Sequence, residues 1–321
     1  MTPTIDAYTH VLTEEFYDTL VAEYDFQGLT GDPSFLWDMD RRLGHMDEYG
    51  IDKQVLTLAL PPLWRGMDHD TALELTRLAN DEVARIAAEH PDRFIAVGTV
   101  PTVSDEFIAE FDRCIEDLGM AGIQMFSNVG GEPIDRPRFH PLFERAEAHD
   151  VPLWMHPQLH EWYDWASERM EHRLFGWPFD TTLALSRLVF GGVTEAYDFD
   201  LVAHHGGGMI PFYAGRIDSF YQSRLDYPEN YADTELPPLD QPVSDQFAEF
   251  HVDTAVSGSA LAHDCVHGFF GDTTLFGTDY PFGPGRGSAW VESGLARVAE
   301  MDVPEDARDG IRGGNLLDLI E

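Results

Sequence analysis

Short apolar runs alternate with longer amphipathic segments along the whole chain. The clearest amphipathic segment runs over Asp70–His90, where Leu75, Ala79 and Ile86 fall on one face of a helix. Short apolar runs between such helices are typical of buried strands. The pattern predicts strands at Thr4–His10, Gln54–Leu60, Phe94–Thr99, Gly122–Phe126, Pro152–His156, Leu201–His205, Phe250–Thr254 and Thr274–Gly277. It predicts helices at Asp70–His90, Ser104–Leu118, Arg138–Ala148, Thr181–Phe190, Ile210–Leu225, Ser259–Phe270, Ser288–Glu300 and Pro304–Ile320.

The recurrence of a strand followed by a helix, about eight times over, predicts a parallel sheet with helices packed outside it. For a chain of 321 residues, a closed (β/α)8 barrel is the natural solution. The longest polar, proline-bearing stretch is Tyr227–Gln241, which we interpret as a surface excursion and not a domain boundary. We therefore predict an α/β protein with a single barrel domain over residues 1–321.

The charge balance is strongly acidic, with 58 Asp and Glu residues against 20 Lys and Arg and a formal net charge of -38. Such a surface repels nucleic acids and anionic membranes, so neither is an expected partner. Self-repulsion on this scale destabilises a compact fold at low salt and is screened at molar salt, where the Debye length is about 3 Å. We interpret the charge as a halophilic adaptation to a salt-rich cytoplasm.

Three further features bear on location. The N-terminus lacks a basic region followed by an apolar run, so no secretory signal is expected. No stretch approaches the roughly 20 apolar residues of a membrane span. The two cysteines, Cys114 and Cys265, resemble neither a disulfide framework nor a metal-binding pair. A reducing cytoplasm is therefore the expected compartment.

Residues able to bind metal collect at the carboxyl ends of the predicted strands, which converge on one face of a barrel. Imidazoles and a carboxylate around an open position are what a catalytic Zn²⁺ or similar divalent ion requires. A single histidine at a strand end is usually an ordinary hydrogen-bonded residue, but several at the ends of one barrel indicate a site. The candidates are Tyr8, His10, His156, His204, His205 and Asp279.

The alternation of side chains along a strand constrains these candidates. Tyr8 and His10 are two residues apart and should point to the same side. His204 and His205 are adjacent, so at most one of them is expected to face the barrel interior. Asp279 lies in a Thr-Asp-Tyr-Pro sequence that is also an acceptable turn.

Several motifs of the chain also resemble a known family. They are D-A-Y-T-H, P-L-W-M-H-P, G-G-V-T-E-A-Y-D-F-D-L-V-A-H-H-G-G-G-M-I-P-F-Y-A-G-R-I-D, F-G-T-D-Y-P-F and the closing G-N-L-L-D-L. Together they resemble the amidohydrolase superfamily, and more narrowly its aminocarboxymuconate-semialdehyde decarboxylase branch. The resemblance runs from residue 5 to about residue 318, and its most specific parts are the histidine–glycine block and F-G-T-D-Y-P-F.

The resemblance implies a metal centre. The family's H-x-H motif falls on Tyr8 and His10, its third metal histidine on His156 and its metal aspartate on Asp279. Tyr8 departs from that motif, and a phenol must lose a proton with a pKa near 10 before it can bind metal. Tyr8 is therefore a phenolate ligand, a hydrogen-bond donor to substrate beside three ligands, or a sign that metal binding has decayed. We favour the second option, because three protein ligands suffice for a catalytic zinc site.

The resemblance also implies residues for chemistry and substrate binding. The family's acid/base histidine falls on His205, so that His204 would be an extra neighbour facing away. Its substrate-carboxylate arginines fall on Arg42 and Arg216. In the family the second arginine can reach the site of a neighbouring subunit, which implies a homodimer. Arg42 also follows another arginine on a predicted helix, so an ordinary solvated surface position is the alternative interpretation of this residue.

The function implied by the resemblance is loss of CO₂ from a small unsaturated or aromatic carboxylic acid. A divalent metal, with Zn²⁺ first and Mn²⁺ second, would hold a substrate oxygen, while His205 supplies a proton. The same centre could hydrolyse an amide, ester or lactone with Asp279 as base. A catalytically silent barrel that binds a ligand is a further alternative, motivated by Tyr8.

The expected pocket loops are Gly28–Trp37, Pro61–Met67 and Gln158–Trp177, and they show no pattern that identifies the substrate. They include an aromatic cluster expected to form a pocket wall or lid, namely His160, Trp162, Tyr163 and Trp165.

Overall fold

The strands of the chain form a parallel barrel. The computed structural model describes residues 2–23, 32–59, 67–158, 168–169, 172–231 and 242–320. The barrel strands are Ile5–Val11 (β1), Lys53–Leu58 (β2), Phe94–Ala96 (β3), Gly98–Thr99 (β4), Ile123–Phe126 (β5), Leu153–His156 (β8), Leu201–Ala203 (β9), His251–Asp253 (β10) and Thr274–Leu275 (β11). A short hairpin, Asn128–Val129 (β6) with Glu132–Pro133 (β7), lies between β5 and β8. All paired barrel strands among the described residues are parallel, as predicted.

Two junctions close the barrel. Strands β3 and β4 are one extended segment, in which Val97 N donates to Leu56 O at 3.2 Å and Gly98 N donates to Gly122 O at 3.0 Å. This segment joins the sheet β1-β2-β3 to the sheet β4-β5-β8-β9-β10-β11. At the other junction, His10 N donates to Tyr280 O at 2.7 Å, which ties β1 to the segment after β11. The predicted (β/α)8 architecture is confirmed.

Helices flank the barrel, and side chains that accept from backbone N–H groups begin several of them. Asp68 accepts from Thr71 N at 3.0 Å and Ser259 accepts from Ala262 N at 3.3 Å. The helices among the described residues are Glu14–Glu23 (α1), Met39–Tyr49 (α2), His69–Glu89 (α3), Asp105–Glu116 (α4), His140–His149 (α5), Trp177–Phe190 (α6), Val193–Ala196 (α7), Ile210–Asp226 (α8), Val243–Ala248 (α9), Ala260–Phe270 (α10), Ser288–Glu300 (α11), Glu305–Asp309 (α12) and Asn315–Ile320 (α13).

The structure departs from the predicted elements in a few places. The predicted helix Pro304–Ile320 is divided into α12 and α13 by a wider turn over Gly310–Gly314. Gly313 packs so closely on the chain that a Cβ there would lie 2.3 Å from Pro3 O. Helices α1, α7 and α9 and the β6–β7 hairpin were not predicted; α7, α9 and the hairpin are each too short to show a clear period.

The apolar core lies in two layers. Most buried apolar side chains pack between the strands and the surrounding helices. A smaller cluster fills the barrel itself and includes Ile5, Val55, Trp154 and Val202. Leu316 from α13 packs against this inner cluster, at the end of the barrel where β1 begins. The apolar filling of that end leaves the carboxyl ends of the strands for polar groups. Among the described residues, no helix combines the length and apolar character needed to cross a membrane.

Candidate metal centre and active site

The side chains of His10, His156 and His204 meet at the carboxyl end of the barrel. His10 lies near the end of β1, His156 is the last residue of β8, and His204 directly follows β9. The ring centroid of His10 lies 5.2 Å from that of His156 and 5.7 Å from that of His204. One ring nitrogen of each histidine lies within 4.8 Å of a ring nitrogen of the other two. The three imidazoles therefore surround a common point.

Hydrogen bonds fix the orientation of the first two imidazoles. Thr57 Oγ1 donates to Thr9 O at 2.9 Å, so at its 3.0 Å contact with His10 Nδ1 the hydroxyl accepts the ring N–H. His156 Nδ1 donates to Pro157 O at 2.8 Å, because a carbonyl can only accept. Both rings therefore carry their proton on Nδ1 and keep a lone pair on Nε2.

His204 is held in the same way by a carboxylate. Its Nδ1 hydrogen-bonds Asp253 Oδ2, and both side chains are fully buried. Asp253 is fixed in turn, because its Oδ1 accepts from Gly206 N at 3.0 Å and from Ala255 N at 3.0 Å. His204 Nε2 is then the ring nitrogen that faces the cluster, 3.6 Å from Asp279 Oδ1.

Asp279 reaches the cluster from a tight turn after β11. Its Oδ1 lies 3.1 Å from His10 Nε2. Its backbone adopts a left-handed conformation with φ of 64°, which is uncommon for a residue other than glycine. The turn is held by buried Asp6, whose carboxylate accepts from Thr278 N at 3.0 Å and from Thr278 Oγ1 at 2.5 Å. The backbone at Gly277 passes close to Asp253, and only a glycine fits there, since a Cβ would lie 2.7 Å from Asp253 Cβ.

The electrostatics of the cluster follow from burial and from these carboxylates. Burial opposes ionisation of Asp279, but its close polar contacts with His10 and His204 hold its pKa below the usual range. Burial opposes charging of His204, but Asp253 and Asp279 raise its pKa to about 9. Burial lowers the pKa of His10, and burial together with neighbouring histidines lowers that of His156 further. The site therefore combines an ionised Asp279 with neutral imidazoles at His10 and His156, whereas His204, in the absence of a metal, is held in its charged form by the two carboxylates beside it.

Tyr8 lies inside the cluster, on the same side of β1 as His10. Its ring centroid lies 4.0 Å from that of His204, with the two planes inclined by 14°, and 5.6 Å from that of His10. The side chain is completely buried, and among the described residues its hydroxyl has no hydrogen-bond partner. Burial, followed by the charges of Asp253 and Asp279, raises the pKa of Tyr8.

The expectation that His204 faces away from the site is corrected by the structure. His204 is fully buried in the cluster, and the ring centroid of His205 lies only 3.8 Å from that of His204. The alternation rule fails because β9 ends at Ala203, before either histidine. His205 then takes a left-handed conformation with φ of 59°, which brings its side chain back beside His204. Both histidines therefore belong to the site.

The structure gives Arg42 partners other than the expected substrate carboxylate. The side chain lies under β1 and is buried, with an exposed fraction of 1%. Its Nη1 donates to Thr9 Oγ1 at 3.2 Å and to Gln54 Oε1 at 3.0 Å, while Nη2 donates to the carbonyl of His10. Both terminal nitrogens are thus occupied by the protein, so Arg42 holds the backbone that carries His10.

Arg216 does not join the cluster either. It is an exposed residue of α8, and its guanidinium carbon lies 4.4 Å from the centre of the Phe220 ring. It lines a surface groove between α6 and α8 that also includes Ile217 and Tyr221. Arg216 therefore lies on the outer surface of the barrel, away from the histidine cluster of the same chain.

Sequence reasoning did not identify Asp253, Thr57 or Trp177. Asp253 is the last residue of β10 and Thr57 lies near the end of β2, so the strand-end argument used for the histidines applied to both. Trp177 stacks on His205, with centroids 6.0 Å apart and planes inclined by 21°. Its only sequence signal was its position at the start of α6, after an aromatic-rich loop.

Much of the expected pocket wall lies outside the described residues. These parts include His160, Trp162, Tyr163 and Trp165, together with residues 28–31, 61–66, 159–167 and 170–171. The polar stretch predicted as a surface excursion lies partly outside as well, over residues 232–241.

The chemistry of the donor set fits a divalent metal. The cluster combines the neutral imidazoles of His10 and His156 with the ionised carboxylate of Asp279, which are the ligands that Zn²⁺ and related ions take in proteins. The Nδ1 atoms of the histidines are occupied by Thr57, Pro157 and Asp253, the arrangement that orients metal-binding imidazoles. A parallel barrel with such a cluster at its carboxyl end defines a metal-dependent barrel protein.

Comparison with known proteins places the chain in a family. The sequence profile of the amidohydrolase family matches residues 5–318. The chain therefore belongs to the amidohydrolase family, and the predicted family is confirmed.

Relatives of the chain are decarboxylases. It is 30% identical over 292 residues to the 2-amino-3-carboxymuconate-6-semialdehyde decarboxylase of Dictyostelium discoideum, covering 88% of this chain and 77% of the relative. It is also 30% identical over 298 residues to a gamma-resorcylate decarboxylase of Rhizobium radiobacter, covering 85% of each. Among solved structures, it resembles a variant of the 5-carboxyvanillate decarboxylase of Novosphingobium aromaticivorans with bound manganese and 3-methoxy-4-hydroxy-5-nitrobenzoic acid. The TM-score is 0.85 and the identity 24%, over 99% of this chain and 97% of that chain.

Proposed function

We propose that the protein is a metal-dependent, non-oxidative decarboxylase of a small aromatic or unsaturated carboxylic acid. The observation that carries the proposal is the convergence of His10, His156 and Asp279 at the carboxyl end of the barrel. Its relatives with known activity remove CO₂ from acids of this class. Fold alone would not justify an activity, so the proposal rests on the site and the relatives together.

The metal would be held by His10 and His156 through Nε2 and by Asp279 through its carboxylate. When bound, it supplies a Lewis acid that draws electron density from a substrate oxygen. Zn²⁺ is the first candidate from the imidazole-rich donor set. Mn²⁺ is the second, and the manganese of a solved relative supports it.

His205 is the proposed proton-transfer group. Loss of CO₂ leaves a carbanion-like carbon, which must receive a proton from a positioned donor. His205 Nδ1 is buried and has no hydrogen-bond partner among the described residues, so it is free to exchange a proton with substrate. Trp177, which stacks on His205 and lies 6.0 Å from His156 between ring centroids, supplies an aromatic wall for an unsaturated substrate.

Tyr8 is proposed as a hydrogen-bond donor to the substrate. A buried hydroxyl without a partner costs free energy, so it is expected to find its partner when substrate binds. The stacking of its ring on His204 fixes the direction of the hydroxyl within the cluster. This assignment agrees with the option favoured from the sequence.

A homodimer is the proposed assembly, with α8 at its interface. This helix presents exposed aromatic side chains, among them Phe212 with 76% and Phe220 with 52% of their surface accessible. Arg216 lies between them along α8 and away from its own cluster. An isologous contact of two copies would cover this face and direct each Arg216 toward the partner's site, where it can bind a carboxylate in a forked hydrogen bond.

The setting that we propose is a salt-rich, reducing cytoplasm, with residues 1–321 acting as one barrel domain. The acidic composition supports a salt-rich environment. The two free cysteines support a reducing compartment.

A metal-dependent hydrolase is the second candidate function. The observation that favours it is the position of Asp279, whose Oδ1 lies 3.1 Å from His10 Nε2 and 3.6 Å from His204 Nε2, where a carboxylate can accept a proton from an attacking water.

Metal analysis and product analysis together test the proposal. Protein purified in high salt is expected to contain about one equivalent of divalent metal and to release CO₂ from aromatic or unsaturated acids. Hydrolysis of lactones or esters without CO₂ release would instead favour the second function. Less than about a tenth of an equivalent of metal, with no activity gained on adding Zn²⁺ or Mn²⁺, would contradict both and leave a silent barrel.

A further inference from the structure

We infer that His204 is an additional metal ligand, which takes the coordination position that Tyr8 leaves vacant. The inference rests on the proposed metal centre and goes beyond the ligand set of His10, His156 and Asp279. It explains why this chain carries two consecutive histidines before its glycine run.

The first observation is the geometry of the donors. His204 forms a compact group with His10 and His156, in which ring nitrogens lie within 4.8 Å of one another. Its Nε2 also lies 3.6 Å from Asp279 Oδ1. Ligands of one metal ion lie about 2.0–2.2 Å from it, so two ligand atoms of the same ion lie at most about 4.4 Å apart. The 3.6 Å between His204 Nε2 and Asp279 Oδ1 satisfies this limit.

The second observation is the support of the imidazole ring. Histidines that bind metal almost always donate the other ring N–H to a carboxylate, a carbonyl or another fixed acceptor. His204 has the strongest acceptor of the three, because buried Asp253 bonds its Nδ1 and is itself held by two backbone N–H groups. His10 and His156 have a hydroxyl and a carbonyl in the same position.

The third observation is the relation to Tyr8. The phenol ring stacks face to face on His204 at 4.0 Å, so the two side chains occupy adjacent layers of the cluster. A phenol at this position supplies no neutral nitrogen donor, and His204 restores an imidazole next to it. The chain therefore carries an imidazole directly beside the phenol that stands in its H-x-H position.

His205 differs from His204 although the two are adjacent in sequence. Its Nδ1 is buried without a partner among the described residues, so nothing orients its ring in the way that Asp253 orients His204. It stacks instead on Trp177. His205 also has a ring nitrogen within 4.8 Å of ligand atoms of His204 and Asp279, but it lies outside the group that His204 forms with His10 and His156. We therefore assign the ligand role to His204 and the proton-transfer role to His205.

The inference has a consequence for the metal. His10, His156, His204 and Asp279 would fill all positions of a tetrahedral Zn²⁺. An ion that accepts six ligands, such as Mn²⁺, keeps positions open for substrate. With His204 included, the ligand set therefore reverses the order of candidates given above and makes Mn²⁺ the first.

The test compares His204→Ala with His205→Ala, two neighbouring buried-site variants that differ only in the assigned role. Metal-free proteins are titrated with Mn²⁺ by calorimetry, and metal content after dialysis is measured by mass spectrometry. We expect His204→Ala to bind Mn²⁺ at least about 100-fold more weakly, beyond the roughly 10- to 100-fold effect of removing an outer partner. His205→Ala should bind within about threefold of the parent protein, and Asp253→Asn should fall between the two.

A compensating variant keeps the test decisive if His204→Ala folds poorly. In the double variant Tyr8→His with His204→Ala, the new imidazole lies on the same side of β1 as His10 and should restore Mn²⁺ binding. Restored binding supports the inference. His204→Ala protein that binds Mn²⁺ as tightly as the parent would overturn it while leaving the proposed metal centre intact. A parent protein that binds no divalent metal would instead refute the proposed function.

Discussion

The ring of Tyr8 lies parallel to the ring of His204, with centroids 4.0 Å apart and planes inclined by 14°. This stack joins the position where the chain departs from the H-x-H motif to the histidine that we infer to be an additional metal ligand. It also separates two tasks at one place in the barrel, since the imidazole can bind metal while the phenol keeps its proton for hydrogen bonding.

Replacement of Tyr8 by phenylalanine should therefore affect turnover and not metal content. The Tyr8 hydroxyl has no partner among the described residues, so its removal leaves no protein group unpaired. We expect unchanged metal content, an unchanged or higher melting temperature, and a kcat/KM about 10- to 100-fold lower, the cost of one hydrogen bond to a charged substrate. Metal analysis, thermal unfolding and steady-state kinetics check these outcomes. Loss of metal in Tyr8→Phe would show that the phenol is a ligand.

Replacement of His156 and of His205 by alanine should separate binding from chemistry. His156→Ala removes an imidazole whose Nδ1 is fixed by Pro157 O and whose Nε2 faces the cluster, so metal should be lost together with activity. His205→Ala should retain metal and lose about 10²- to 10⁴-fold in kcat, the usual contribution of a proton-transfer group. Equal loss of metal in both variants would contradict this division of roles.

The positions of the barrel strands and of the histidine cluster were predictable because both follow from short-range patterns. Apolar runs locate the strands, and the convergence of strand ends brings His10, His156 and Asp279 together. The orientation of His204 was not predictable, because it depends on where β9 stops and on the left-handed backbone of His205. Asp253 was within reach of the same strand-end argument, but only its contact with His204 gives it a role.

Arg42 is a second residue whose contacts could not be predicted from the sequence. The resemblance implied that it binds a substrate carboxylate, whereas its contacts here are with Thr9, Gln54 and the carbonyl of His10. A buried side chain reveals its partners only through tertiary structure, and the Arg42 contacts with Thr9 and His10 join residues 33 and 32 positions apart in sequence.

Replacement of Arg42 by lysine should consequently destabilise the fold. An ammonium cannot reach all three acceptors, so buried oxygens on β1 and β2 would lose their donor. We expect the free energy of unfolding to fall by about 2–4 kcal/mol, measured by denaturant titration of the metal-free protein. The neighbouring Arg41→Lys is the control, because Arg41 is exposed and should change by less than about 0.5 kcal/mol. An unchanged stability with a raised KM in Arg42→Lys would restore the substrate-binding role.

The acidic surface predicts a strong dependence of stability on salt. With a net charge of -38, the folded chain repels itself more than the expanded unfolded chain does. The Debye length falls from about 10 Å at 0.1 M to about 3 Å at 1 M, so the melting temperature should rise steeply over this range of KCl. NaCl should give the same curve if screening is the cause, since screening depends on ionic strength alone. A melting temperature that does not respond to salt would contradict the halophilic interpretation.

The exposed face of α8 predicts how the protein assembles and how its sites are completed. Phe212→Glu places a charge on a side chain that is 76% exposed, so it should not disturb the fold but should dissociate a dimer in light scattering. Val21→Glu on α1, where the side chain is 47% exposed, is the matched control and should leave the mass unchanged.

A mixing experiment then asks whether Arg216 acts across the interface. Arg216→Ala and His156→Ala should each be inactive alone, the first for want of a carboxylate partner and the second for want of metal. In a mixed dimer, the site with an intact His156 receives an intact Arg216 from the other copy. Random exchange of subunits should therefore restore about a quarter of the parent activity. No recovery, although mixed dimers form, would show that Arg216 does not serve the partner's site.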